Sequence, residues 1–309
     1  VNDVIVYVSS VANPRKHSRK IECLESFAEG VKKVGHSVQV EWDYQYRPSR
    51  LAVILGWATT NTGGRNIALR KQIIASQQGQ GLHTMCIDGS CWKYLDDQGS
   101  YLRYSLGGPF YDKAQYANAN SGPEKWLKIS QDLGVSLRPD RNNCNGYILI
   151  CMQRDGGFAM KALNPIQWLR DKVVQIRRHT TRTIMVRPHP GAYDMKDFAE
   201  FRSKHYMQRM NMHVINPEST TLLENITNAH SAVFFNSSAA VAAVCEGVPI
   251  FVDDVSCVAW DVANRDLALI EAPQKFDRQQ WIWNLAAAHW SDQENRQGDT
   301  YQRFLPYLI

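Results

Sequence analysis

At 309 residues the chain is long enough for two domains with separate cores, and its 44% hydrophobic and 21% charged residues describe a globular protein, not a disordered or fibrous one. No apolar run has the length that spans a bilayer, and residues 1–10 read as a strand pattern with an acid in it, not as a basic-then-apolar signal. The net charge of +5 permits a polyanionic partner without requiring one.

Asp3 to Ser9 has the pattern of a buried strand, and an amphipathic helix from Ser18 to Val34 follows, closed by Gly35. The loop between them carries Arg15, Lys16, His17, Arg19 and Lys20. Such a run is ordinarily a solvated face, but cations at a helix start oppose the dipole, which leaves a bound anion as the other reading. His36 to Trp42 and Leu51 to Leu55 read as the second and third strands, so strand and helix alternate as in a parallel Rossmann-type sheet. Gly56 to Arg65 is a Gly- and Thr-rich loop that suits an anion, a sugar or a plain connection, ahead of a helix over Asn66 to Gln77. The strand His83 to Ile87 ends in Asp88-Gly89, an acid placed where ligands of open α/β sheets bind.

Tyr94 to Asn120 is rich in aromatics interleaved with cations, including Tyr101, Arg103, Tyr104, Tyr111, Asp112 and Tyr116. It can stack bases or sugars, or simply pack down. A helix is expected over Ser121 to Asp132, a linker over Gly134 to Asn145, and the first strand of a second domain over Tyr147 to Met152. That strand ends in Gln153-Arg154-Asp155-Gly156-Gly157. Trp168 to Arg178 reads as a helix and Ile184 to Val186 as a strand, which runs into Arg187-Pro188-His189-Pro190, where the prolines fix an Arg and a His at the strand end. Val233 to Phe235 leads into Asn236-Ser237-Ser238 and an alanine-rich helix stopped by Gly247. Either serine would cap that helix, whose amides offer an anion site. Arg278 to Trp290 is helical in pattern.

The seven cysteines show neither a C-x-x-C pair nor ligand spacing with histidine, which predicts a reducing, cytoplasmic compartment and no structural zinc. Asp253-Asp254 closes a strand without neighbours that complete a metal site.

The order Arg187-Pro188-His189-Pro190, then Asn216-Pro217-Glu218-Ser219-Thr220 ahead of Leu222-Leu223-Glu224-Asn225, then Asn236-Ser237-Ser238 and Glu246-Gly247-Val248-Pro249, resembles the nucleotide-sugar-binding half of GT-B glycosyltransferases. It is most similar to the branch holding capsule-type Kdo transferases and bacteriophage enzymes that decorate DNA bases. The resemblance implies two Rossmann-like domains facing a cleft, with residues 1–143 binding the acceptor, 144–285 binding the donor, and a C-terminal segment, 286–309, crossing back to the first domain. It implies a metal-independent transfer with no cofactor, using a nucleotide sugar, foremost a UDP-sugar, as co-substrate.

The donor would be held by Arg154, Arg187, His189, Ser219, Thr220, Ser237, Ser238 and Glu246. Asp88 is the expected general base, with Asp112 in reserve, and a cap role is the alternative for Asp88. The basic charge and aromatic content favour DNA as acceptor, with Arg15, Lys16, Arg19, Arg65 and Arg103 on phosphates, and the resemblance to the phage enzymes implies 5-hydroxymethylcytosine in double-stranded phage DNA, in the host cytoplasm. The alternatives are a Kdo-type polysaccharide transferase and a non-catalytic nucleotide-sugar or nucleic-acid binding module.

Overall fold

The structure is a computed structural model that describes residues 2–12, 18–58, 64–96, 98–154, 158–161, 163–190 and 203–308. The chain divides into two compact units, residues 1–129 with 283–309, and residues 130–282. None of the helices among the described residues is long and apolar enough to cross a membrane.

The first unit is built on a six-stranded sheet. Strands β1 (Asn2–Tyr7), β2 (Val38–Glu41), β3 (Ser49–Leu55) and β4 (His83–Asp88) run parallel in the order β2-β1-β3-β4. Beyond β4 lie β5 (Leu102–Leu106) and the two-residue β11 (His289–Trp290), each antiparallel to its neighbour. The helices α1 (Ser18–Lys33) and α2 (Arg65–Gly79) connect the parallel strands, as a right-handed crossover requires. Val4, Val6, Leu51, Val53 and Met85 meet Leu24, Phe27 and Val31 in the core, all at 0–1% exposure. That row alternates along the strands because successive side chains point to opposite faces.

Strand β5 departs from the irregular segment expected over residues 94–120. Its sequence Leu-Arg-Tyr-Ser-Leu alternates, with Leu102, Tyr104 and Leu106 in the core and Arg103 and Ser105 on the other face. A buried arginine hides the strand pattern. Tyr101, Tyr104 and Tyr116 are buried, so these aromatics pack down.

The last residues belong to the first unit. After α8 (Gln279–Ala287) and β11 come α9 (Asp292–Gln297) and α10 (Asp299–Phe304), and Tyr301, Phe304 and Leu308 enter the core. Phe27 stacks on Tyr104 and meets Tyr301 edge-on, both with centroids 6.1 Å apart. Buried Asn295 donates to the Tyr104 hydroxyl at 2.6 Å and accepts from Thr300 at 2.6 Å, which satisfies a polar side chain that burial would otherwise penalise.

The second unit holds an all-parallel sheet in the order β8-β7-β6-β9-β10, from β6 (Tyr147–Cys151), β7 (Ile184–Arg187), β8 (Met212–Val214), β9 (Ala229–Phe234) and β10 (Ile250–Val252). Its strand order reverses between β6 and β9, the point at which doubly wound sheets bind ligands. The helix α4 (Pro165–Arg177) starts three residues before the expected Trp168. Asn164 accepts from the amides of Ile166 and Gln167 at 2.9 and 3.0 Å, and Pro165 occupies the first helical position, a start signal in its own right. The remaining helices, α3 (Glu124–Leu133), α5 (Lys204–Arg209), α6 (Leu222–Thr227) and α7 (Ala239–Cys245), are short.

Candidate functional site

In the second unit the strand ends gather polar groups. Arg187, the last residue of β7, donates from one terminal nitrogen to Asn225 Oδ1 at 2.6 Å and Thr220 Oγ1 at 3.3 Å, and from the other to the Pro217 carbonyl at 3.3 Å. Burial lowers its pKa without discharging it. Asn225 is 7% exposed and sits on α6, whose start is fixed by a capping box between Thr221 and Glu224. The structure thus joins Arg187 and Thr220 through Asn225, which sequence reasoning quoted but gave no role. His189 and Ser219 are exposed, and Ser219 donates to the Asn216 carbonyl.

Across the reversal point, the Asn236 amide donates to Gln153 Oε1 at 3.2 Å, and the Asn236 side chain donates to the Ala159 carbonyl and to Ser256 Oγ at 2.9 and 2.7 Å. The ends of β6 and β9 are therefore tied together. Arg154 beside this tie is exposed and makes no hydrogen bond or ion pair among the described residues, and residues 155–157 lie outside them. Of the two candidate caps of α7, Ser237 accepts from the Ala239 amide at 3.2 Å, whereas Ser238 is helical and makes no side-chain cap bond. Ser238 is exposed. Glu246 follows α7 and is engaged by Arg141 at 2.7 Å and Arg138 at 3.3 Å, which ties the 134–145 segment to the end of α7. Asp253 accepts from Lys172 and the Trp168 indole, and Asp254 from Lys161. Among the described residues, none of the groupings of His, Cys, Asp and Glu has three members placed to hold a metal ion.

In the first unit Asp88 ends β4 and lines a cavity of about 310 Å³ with Leu55, Gly56, Ile87, Lys20, Lys93 and Arg19 among its walls. Its Oδ2 accepts from Arg103 at 2.6 Å, and the two side chains are 39% and 9% exposed. Gly56, at φ +78, lets the backbone turn out of β3 beside Arg70, where a Cβ would lie 2.9 Å from the guanidinium. Arg70 donates to the Ser10 and Trp57 carbonyls, fastening the ends of β1 and β3. Asp112 lies in an exposed turn, and the cavity wall does not include it.

Of the expected DNA contacts, Arg15 and Lys16 lie outside the described residues. Arg19 pairs with Asp292 and donates to the Gly99 carbonyl at 2.7 Å. Arg103 is 7% exposed, with its guanidinium turned inward, and Arg65 is exposed at the start of α2.

No protein-family model matches the chain, and no curated protein matches its sequence. Solved structures do match its fold, two of them over nearly the whole chain. The beta Kdo 2,4 transferase of Thermosulfurimonas dismutans KpsC has 11% identity and a TM-score of 0.59, with 92% of this chain and 89% of that chain covered. The beta Kdo 2,7 transferase of the same KpsC has 12% identity and a TM-score of 0.55, with 98% and 99% covered. The likeness extends over nearly the whole length of both, and the fold is of the GT-B type.

Proposed function

We propose that this protein is a glycosyltransferase that moves a sugar from a nucleotide-activated donor to a hydroxyl of a glycan, in the manner of a Kdo transferase. The observation that carries the reading is the carboxylate of Asp88, half-exposed at a strand end and opening on a cavity, in a chain whose fold matches two Kdo transferases over nearly its full length. The second unit is the donor-binding half in this reading. Arg154, Arg187 and His189 meet the donor phosphate, with Ser219, Thr220, Ser237 and Ser238 as hydrogen-bond donors, so that charge growing on the leaving group is stabilised. Glu246 has its carboxylate bonded to two arginines and serves this region by holding the segment after α3 in place.

The first unit binds the acceptor. The acceptor oxygen forms its bond to the anomeric carbon while its proton passes to Asp88, and the bond from that carbon to the donor phosphate oxygen breaks with its electron pair on the phosphate. A DNA acceptor draws less support, because Arg19 and Arg103 are engaged by Asp292 and Asp88 and a guanidinium turned inward cannot release counterions from a phosphate. None of the seven cysteines is joined in a disulfide among the described residues and six are buried, and a cytoplasmic setting goes with this reading.

The test is incubation with nucleotide-activated Kdo and UDP-sugars against two acceptors, a Kdo-primed oligosaccharide and hydroxymethylcytosine DNA, read by mass. Glycan product is expected. Modified nucleoside with unmodified glycan would overturn the acceptor assignment, and donor binding without any product would favour a binding module.

A further inference from the structure

Asp88 and Arg103 are directly opposed across β4 and β5, and Arg103 is directly opposed to His289 across β5 and β11. Directly opposed residues share a face, so the three side chains form one row across three strands. Within it the Arg103 guanidinium donates to Asp88 Oδ2 at 2.6 Å and approaches Cys91 Sγ at 3.7 Å, and its Nε meets no acceptor. The Cys91 amide donates to His289 Nε2 at 3.1 Å, and His289 Nδ1 lies 2.8 Å from the Leu285 carbonyl, which fixes the ring as the neutral Nδ1–H form. Asp88 is thus the one carboxylate paired with Arg103 among the described residues. Its Oδ1 takes no hydrogen bond from them.

We propose that Arg103 is the positioning residue for Asp88: held by the row behind it, the guanidinium fixes Oδ2 and so turns Oδ1 toward the hydroxyl to be deprotonated. This rests on reading Asp88 as the general base. A buried arginine with one anionic partner favours the charged form of that partner, and its planar fork sets the carboxylate's orientation as a lysine cannot. The other groups facing the pair keep their charge near neutrality. Burial raises the Cys86 and Cys91 thiols and the Tyr116 phenol and holds His289 at about 3. Arg70 stays cationic, Arg19, Lys20 and Lys93 line the cavity, and Asp96 there accepts from the Tyr101 amide and Ser100.

The experiment compares wild type, Arg103→Gln, Arg103→Lys and Asp88→Asn in two readouts. One is the pH titration of the Asp88 carboxyl carbon by NMR in 13C-aspartate-labelled protein, assigned by its loss in Asp88→Asn. The other is the pH profile of kcat/KM for transfer from nucleotide-activated Kdo. Arg103→Gln is expected to move both the carbon titration and the acid limb upward by about one pH unit or more. Arg103→Lys keeps the charge, so its limb stays in place while kcat falls about tenfold with KM little changed, and it carries the test if the glutamine protein does not fold. Unmoved limbs in Arg103→Gln, or an undiminished kcat in Arg103→Lys, with Asp88→Asn inactive, overturn the positioning role alone. Normal transfer by Asp88→Asn overturns the base assignment, and the positioning role with it.

Discussion

Arg187 braces the second unit through one guanidinium, and in the proposed reading the same group meets the donor; substitution separates the two. Arg187→Ala should lower donor affinity by about 1.5 to 3 kcal/mol, the range for a charge-assisted bond, and should also destabilise the second unit, because Asn225 Oδ1 loses its 2.6 Å donor. Asn225→Ala isolates the structural part. Calorimetry with the donor nucleotide reads the difference, and unchanged binding by a folded Arg187→Ala protein would remove this residue from the site. Asp88→Asn keeps shape and hydrogen-bonding atoms while losing basicity, so single-turnover transfer should fall about a hundred- to ten-thousandfold with donor affinity nearly intact. Asp112→Asn, in an exposed turn, should fall far less; the reverse ranking would exchange their roles. Arg103 was legible as a cation and read as a phosphate contact, not as the partner of Asp88, because pairing across β4 and β5 depends on a strand register that one sequence does not display.

Parallel strands announce themselves as short apolar runs, and β1, β3, β4 and β6 were legible for that reason. The start of β9 was not, since Ala229, His230 and Ser231 look like loop although all are buried. The His230 ring nitrogens face the Asn143 and Ile270 carbonyls at 3.1 and 2.9 Å, a compensation invisible until the fold brings those carbonyls near. The return of residues 286–309 to the first domain was expected, but the close packing of α9 on α1 was hidden. A Cβ on Gly30 would lie 1.8 Å from the Asn295 carbonyl oxygen, so Gly30→Ala should destabilise the first unit by about 1 to 3 kcal/mol or more, measured by urea unfolding. An unaltered midpoint would mean the two helices separate freely. His289 in β11 gives this element a pH dependence. Burial holds its folded pKa at about 3 against 6.5 for the free side chain. Its contribution to stability is whole above pH 6.5 and drains away as pH falls toward 3, at most about 1.4 kcal/mol per pH unit. His289→Gln should show the shallower loss between pH 7 and pH 4.5 in denaturant titrations. Parallel curves would assign the proton uptake to other groups.

At the scale of the molecule, alternation of strand and helix made Rossmann-type sheets legible, while the GT-B type followed from the resemblance carried by the motifs between Arg187 and Pro249. The first unit alone is assembled from two distant stretches, residues 1–129 and 283–309. A ribosome emits these at different times. Residues 130–282 are continuous and can close as soon as they emerge, while β5 waits for His289 and Trp290 and the core waits for Tyr301 and Phe304. At bacterial elongation rates of about 5 to 20 residues per second the wait is roughly 10 to 40 s, during which the edge of β5 and the apolar face of α1 stay open to chaperones. Pulse proteolysis of stalled nascent chains should find the second unit protected first and the first unit protected only after its last segment is released; early protection of residues 1–129 would mean that they fold without their final strand.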